Sequence, residues 1–263
     1  MEKTILYKGE ELVYRDYGSG KPIVLIHGFG EDGCIFDAQS AFLKDYCRVL
    51  IPDLPGSGLS AFNGELSTIS DFAEVIKCIL ENEQIASCIM LGHSMGGYIT
   101  LSFAEKYPAL LSGFGFIHST AFADSEDKKE NRLRSISLIE TYGAYSFLKN
   151  SLPNLFSAAF KEAFPGKIVS LTEKGKLFSN RALQQYSVAM MNREDKTTVL
   201  KNATVPVLFI CGDQDVAAPL NDLKQQFPLP DCSYIHILEN VGHMGMWEAP
   251  ELLNNFLLEF IVD

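Results

Sequence analysis

The sequence predicts an α/β protein with a mostly parallel central sheet, helices on both faces and one all-helical insertion. Three observations carry this. Six short apolar runs, Ile23–Ile26, Val49–Ile51, Cys88–Leu91, Phe114–Ile117, Val207–Cys211 and Ile235–Leu238, lack polar alternation, as strands covered on both faces do. Amphipathic segments lie between them, in the strand–helix order of a parallel sheet. The order breaks once, between Asp124 and Thr197, where helical texture continues without a strand run.

Taken in order, Thr4 to Tyr17 alternates enough for two antiparallel strands, with Lys8-Gly9-Glu10-Glu11 as the turn. This hairpin is expected to cover one sheet edge. Gly18-Ser19-Gly20 leads into the first buried run. Further on, Asp71 and Glu74 form a plausible helix-capping pair, and Phe72, Val75, Ile76, Ile79 and Leu80 fall on one helical face. Leu252, Leu253, Phe256, Leu257, Phe260 and Ile261 repeat that stripe at the end of the chain. The segment from Asp124 carries a charged run, Glu126 to Arg134, and then Ile136, Leu138, Ile139, Tyr142, Phe147, Leu148, Leu155, Phe156 and Phe160. A helical insertion between two sheet strands has to sit over an end of the sheet, because both faces are occupied. The expected division is a core of residues 1–123 and 198–263 and a helical cap of residues 124–197.

A chain of 263 residues, 47% hydrophobic, can bury a large core as one domain with an insertion. Its formal net charge of −11 and pI near 4.9 argue against nucleic-acid and anionic-membrane partners, since the summed field repels polyanions. Met1 to Gly9 lacks the basic start and apolar core of a secretory leader, and no apolar run approaches a membrane span. A soluble cytoplasmic protein acting on a small molecule is expected, with oligomeric state left open. Cys34, Cys47, Cys78, Cys88, Cys211 and Cys232 show no C-x-x-C spacing and read as small buried thiols. Neither a metal nor a cofactor is indicated.

The chemistry gathers around Ser94. The run ending at Leu91 breaks into Gly92-His93-Ser94-Met95-Gly96-Gly97 and continues as helix-compatible sequence to Tyr107, where Pro108 stops it. A tight strand-to-helix turn holds its middle residue strained and exposed, and glycines two positions either side remove side chains that would collide across it. The helix that starts there turns unpaired N–H groups and a positive dipole end toward whatever Ser94 attacks. G-x-S-x-G alone arises by chance in roughly one chain in ten of this length, so its weight comes from context. Ligands of open parallel sheets gather at the carboxyl ends of the strands. There the sequence places His27-Gly28-Phe29-Gly30, Asp53-Leu54-Pro55-Gly56, His93-Ser94-Met95, His118-Ser119, Asp213-Gln214-Asp215 and Gly242-His243-Met244. A serine needs a base to become a nucleophile, and the base needs a carboxylate to fix its tautomer. Ser94, His243 and Asp215 supply these parts in the order Ser, Asp, His.

With HGFG after the first buried run, DLPGSGLS after the next, GHSMGG at the turn, GDQD-x-x-x-P from Gly212 to Pro219 and GHMGMWEAPE from Gly242 to Glu251, the sequence resembles capped, esterase-like serine hydrolases of the α/β-hydrolase fold along nearly its whole length. The resemblance implies Ser94 as the acylated nucleophile, His243 as general base and acid, and Asp215 as the orienting carboxylate. It implies the backbone N–H groups of Phe29 and Met95 as the oxyanion hole. Asp213 competes with Asp215, but the family spacing G-x-x-D favours Asp215. Asp53 reads as turn-forming, Asp124 as a hinge residue, His27 and His93 as loop scaffold and His236 as structural. His118 reads equally as a wall of the substrate pocket or as structural. The implied activity is cleavage of a carboxylic ester, thioester or lactone of a small, mostly apolar substrate through an acyl-enzyme. A carbon–carbon bond hydrolase of ring-fission products and a ligand-binding receptor on the same scaffold are the alternatives. Haloalkane dehalogenases and epoxide hydrolases fit poorly, because those relatives carry a carboxylate where Ser94 stands.

Overall fold

The computed structural model describes residues 1–60, 64 and 66–263. Its strands are β1 (Glu2–Tyr7), β2 (Glu10–Tyr17), β3 (Pro22–Ile26), β4 (Arg48–Pro52), β5 (Cys88–His93), β6 (Leu111–Ile117), β7 (Val207–Gly212) and β8 (Ser233–Leu238). They form one sheet in the order β1-β2-β4-β3-β5-β6-β7-β8. β2 runs antiparallel to both β1 and β4, and the remaining pairs are parallel. Each apolar run of the sequence lies in a strand, and in all but β8 for the expected reason: successive residues point to opposite faces, and both faces are packed.

On one face, Val24, Ile26, Leu50, Met90, Phe114 and Phe209 pack against α2 (Ile69–Asn82) and α3 (Met95–Lys106). On the other, Ile23, Leu25, Val49, Leu91, Leu208 and Ile210 meet Leu43 of α1 (Asp37–Leu43) and Leu253, Leu257 and Phe260 of the C-terminal helix Pro250–Val262. β8 departs from this pattern. It is an edge strand, so Ile235 and Ile237 remain 42% and 41% exposed. Cys232, next to it, is also exposed, and Cys34 and Cys78 are half-buried, against the expectation of buried thiols; all six cysteines are free.

Two local expectations change. The hairpin turn is the pair Lys8-Gly9, at φ +49° and +86°, because Tyr7 already pairs with Glu10. Two left-handed residues match the twist of the flanking strands. The cap of α2 is Thr68 with Asp71: Thr68 Oγ1 accepts from Asp71 N at 3.2 Å and Asp71 Oδ2 accepts from Thr68 N at 2.9 Å. Glu74 instead accepts from the Tyr107 hydroxyl at 2.7 Å and pairs with Lys106.

Between β6 and β7 every regular element is helical, with α4 (Glu126–Tyr142), α5 (Ala144–Ser151), α6 (Ala158–Ala163), α7 (Pro165–Lys174), α8 (Asn180–Met191) and α9 (Thr197–Lys201). These helices lie against the loops at the carboxyl ends of the strands. Phe147 on α5 and Tyr186 on α8 both contact the Phe29 ring edge-on, at 6.2 and 6.4 Å between centroids. Tyr186 Oη donates to Pro55 O at 2.8 Å, and His243 N donates to Leu155 O at 2.7 Å. Where the chain enters and leaves this segment, buried Asp124 accepts from Arg132 Nε at 2.6 Å and pairs with Arg193 at 2.8 Å. The Arg193 guanidinium also stacks 3.8 Å over the Tyr98 ring of α3. No helix among the described residues is long and apolar enough to cross a membrane.

Candidate active site

Ser94 follows β5 directly and is the N-cap of α3, with φ +50° and ψ −116°. The left-handed φ is costly for a residue with a side chain and is held by contacts on both sides. Ser94 N donates to Ile117 O at 3.1 Å, and Ser119 Oγ donates to Ser94 O at 2.6 Å. Glycine is required across the turn. A Cβ at Gly92 would lie 2.1 Å from Gly96 O, and one at Gly96 would lie 2.1 Å from Ile26 O. Ser94 is partly exposed, and its Oγ makes no hydrogen bond to any described residue. Met95 N–H opens α3, among first-turn donors that lack an intrahelical acceptor. The HGFG loop lies close by: a Cβ at Gly28 would be 3.0 Å from Ser94 Cβ and 3.1 Å from His93 Nδ1.

Asp215 and His243 come from the loops after β7 and β8. Asp215 Oδ1 accepts from the N–H groups of Ala217 and Ala218 at 2.8 and 2.9 Å. Its Oδ2 accepts from Nδ1 of His243 at 2.8 Å and from Nδ1 of His118 at 3.2 Å. Asp213, by contrast, is exposed. The His243 ring lies 4.8 Å from that of His93, the residue before Ser94, and His93 Nε2 donates to His243 O at 3.0 Å. Ser94, His243 and Asp215 therefore share one rim of the sheet.

The electrostatics separate the two histidines. Burial opposes protonation of His243, but the Asp215 charge and hydrogen bond outweigh it, with smaller contributions from Glu31 and Glu248, so its pKa stands above the ordinary histidine value. For His118 burial prevails over the same carboxylate, and its pKa is pushed down. Asp215 is itself buried, which disfavours its charge. The two rings overcome this and hold the carboxyl well below the usual carboxylate range. A neutral ring on one side and a readily charged ring on the other is the division that acid–base work needs.

His118, expected either to line the pocket or to be structural, is 0% exposed. Its Nδ1 faces Asp215 Oδ2. The nearest ligand atoms of His118, Asp215 and His243 lie within 4.8 Å of one another, a spacing that the two Nδ1–H···Oδ2 bonds account for. His27 is scaffold: Nδ1 donates to Gly28 O at 2.8 Å and Nε2 accepts from Leu54 N at 3.0 Å. Asp53 accepts from the N–H groups of Gly33 and Leu59 and pairs with Arg15 at 2.8 Å. His236 stacks on Phe256 at 3.9 Å.

Two carboxylates were not singled out in the sequence. Glu31 is buried and accepts from Gly28 N at 2.7 Å, bracing the HGFG loop. Glu248 accepts from the N–H groups of Gly242, Met244 and Ser157 at 3.0–3.2 Å, bracing the loop of His243. The available signal was their place one position past HGFG and five past His243. A cleft of about 370 Å³ elsewhere, lined by Tyr98, Ser102, Thr120 and Arg193, contains neither Ser94 nor His243.

A predominantly parallel eight-stranded sheet with a serine at a strand-to-helix turn, and an acid and a histidine on later strand ends, defines the α/β-hydrolase class. Residues 23–256 match the model of the alpha/beta hydrolase family, and the chain belongs to that family. It is 28% identical over 264 residues to Lipase 1 of Psychrobacter immobilis, covering 95% of this chain and 80% of that one. It is 26% identical over 274 residues to a 2-hydroxy-6-oxononadienedioate/2-hydroxy-6-oxononatrienedioate hydrolase of Paraburkholderia phymatum, covering 98% and 94%. Among solved structures, a thermophilic esterase from Thermogutta terrifontis superimposes with a TM-score of 0.93 at 25% identity, covering 100% of this chain and 98% of that one.

Proposed function

We propose that the protein is a serine hydrolase that cleaves a carboxylic ester, thioester or lactone of a small, mostly apolar substrate. The observation that carries this is the 2.8 Å bond from His243 Nδ1 to Asp215 Oδ2, beside a strained serine at the start of α3. With Nδ1 committed to the carboxylate, Nε2 keeps its lone pair and is the only ring nitrogen left to take a proton. Ser94 Oγ attacks the carbonyl carbon as His243 Nε2 accepts its proton. The N–H groups of Phe29 and Met95 stabilise the oxyanion, each donor contributing about 3–4 kcal/mol in the transition state. His243 then protonates the leaving alcohol, and water, activated by the same nitrogen, resolves the acyl-enzyme.

Apolar preference rests on Phe29, whose ring meets Phe147 and Tyr186 beside the proposed oxyanion hole. Residues 124–197 serve as the cap over this rim. The lipase and esterase among the relatives favour ester cleavage. The hydrolase of ring-fission products among them makes carbon–carbon cleavage the reading to test against. A series of nitrophenyl esters of rising acyl length, run beside a ring-fission substrate, separates the two. Faster turnover of the esters, with a burst of one nitrophenol per Ser94, is the expected result. Turnover of the ring-fission substrate alone would refute ester cleavage.

A further inference from the structure

His93 is buried between two acceptors. Its Nδ1 lies 2.9 Å from Glu31 Oε2 and its Nε2 lies 3.0 Å from His243 O. A backbone carbonyl only accepts, and so does an ionised carboxylate. One proton on the ring therefore satisfies one contact and sets two lone pairs against each other at the other, which a dry site penalises heavily. The other histidines here have no such demand. His27 faces one acceptor and two donors, Leu54 N and Ser57 Oγ. His118 faces one carboxylate, and its Nε2 meets no polar atom among the described residues. His243 faces one carboxylate through Nδ1.

We infer that His93 is held as an imidazolium by Glu31, and that this buried ion pair is a positioning device that locks the three loops of the proposed active site together. The inference rests on the serine-hydrolase reading for its functional half only. His93 itself precedes Ser94. Through Nε2–H it fixes the backbone of His243, and through Nδ1–H it fixes Glu31. Glu31 Oε2 in turn takes Gly28 N–H at 2.7 Å, one residue before the Phe29 donor. One extra proton thus sets the distances among nucleophile, base and oxyanion donors. Around the pair stand the ionisable groups His243 and His118, whose rings lie 4.8 and 6.1 Å from that of His93, and His27 and Asp215 beyond them. Asp215 is already bonded by His118 and His243, which leaves Glu31 as the counter-ion of His93.

The test reads the proton directly. Long-range proton–nitrogen correlation spectra of the ¹⁵N-histidine-labelled full chain are recorded between pH 6.5 and 8, with the His93 signals identified by their loss in His93→Gln. The expected result is two protonated nitrogens on His93 throughout, and one in Glu31→Ala, where Nδ1 loses the carboxylate it faces. A singly protonated His93 in the wild type at pH 7 overturns the inference, as does a doubly protonated one that survives Glu31→Ala. In kinetics with a nitrophenyl ester, Glu31→Ala is expected to lower kcat at least tenfold with KM within about threefold, and Glu31→Gln to recover most of that loss. A kcat in Glu31→Ala within threefold of wild type overturns the positioning role. Should Glu31→Ala not fold, the wild-type spectra still decide. Failure of the hydrolase reading appears separately, as absent ester turnover in a wild type whose His93 spectrum is unaffected.

Discussion

Replacing Asp215 by asparagine changes one atom and reverses the hydrogen-bond logic of the site. The amide oxygen keeps the two backbone donors, Ala217 and Ala218, which now reach Oδ1 at 2.8 and 2.9 Å. The amide nitrogen is then forced toward two Nδ1–H groups, those of His243 and His118. Donor cannot face donor, so His243 moves its proton to Nε2 and presents a donor, not a lone pair, to Ser94. The lost charge adds to this: a unit pair near 4 Å at an effective dielectric of 20 is worth about 4 kcal/mol, or about three decades of rate. Together with the wrong tautomer, acylation is expected to fall about 10³–10⁴-fold. Asp213→Asn, at an exposed position, is expected to stay within about twofold. Stopped-flow release of nitrophenol at pH 7.5 measures both. A loss under tenfold in Asp215→Asn, or a larger loss in Asp213→Asn, would refute the reasoning.

Other expectations follow from the same contacts. Because Asp215 raises the pKa of His243, acylation in the wild type should fall as pH drops through a value above about 6.5, the ordinary histidine value, and a pH–rate profile locates that limb. Asp215, Asp124 and Glu31 have depressed carboxyl pKa values, and buried His27 and His118 are depressed too. The unfolded chain then binds more protons, so stability should decline as pH falls below about 6.5 and steeply below about 4, as urea titrations at stepped pH would register. Asp124→Ala strands the buried Arg193 charge and should cost about 3–5 kcal/mol of unfolding free energy. Gly96→Ala drives a methyl group to 2.1 Å from Ile26 O and should cost about 3 kcal/mol, both measurable by denaturant unfolding.

The sheet was legible because each buried run had to be apolar on both faces, and the rule weakened only where β8 became an edge. That Ser94, Asp215 and His243 would stand on one rim was legible because parallel strands deliver their carboxyl ends there. What the sequence hid depends on which acceptor meets which donor in three dimensions. Thr68 rather than Glu74 partners Asp71, and His118 turns onto Asp215. Glu31 stood one position past HGFG, but its role exists only through the two loops it joins. Phe147 read as one more aromatic of the insertion and Tyr186 drew no reading, until the helices placed both on Phe29.

The central claim is that Ser94 is a nucleophile activated by His243. Incubation of the folded protein with a fluorophosphonate, followed by peptide mass mapping, tests it most directly. The expected result is a single adduct on the peptide containing Ser94, absent in Ser94→Ala and formed far more slowly in His243→Ala. An unlabelled Ser94 in the folded wild type would contradict it.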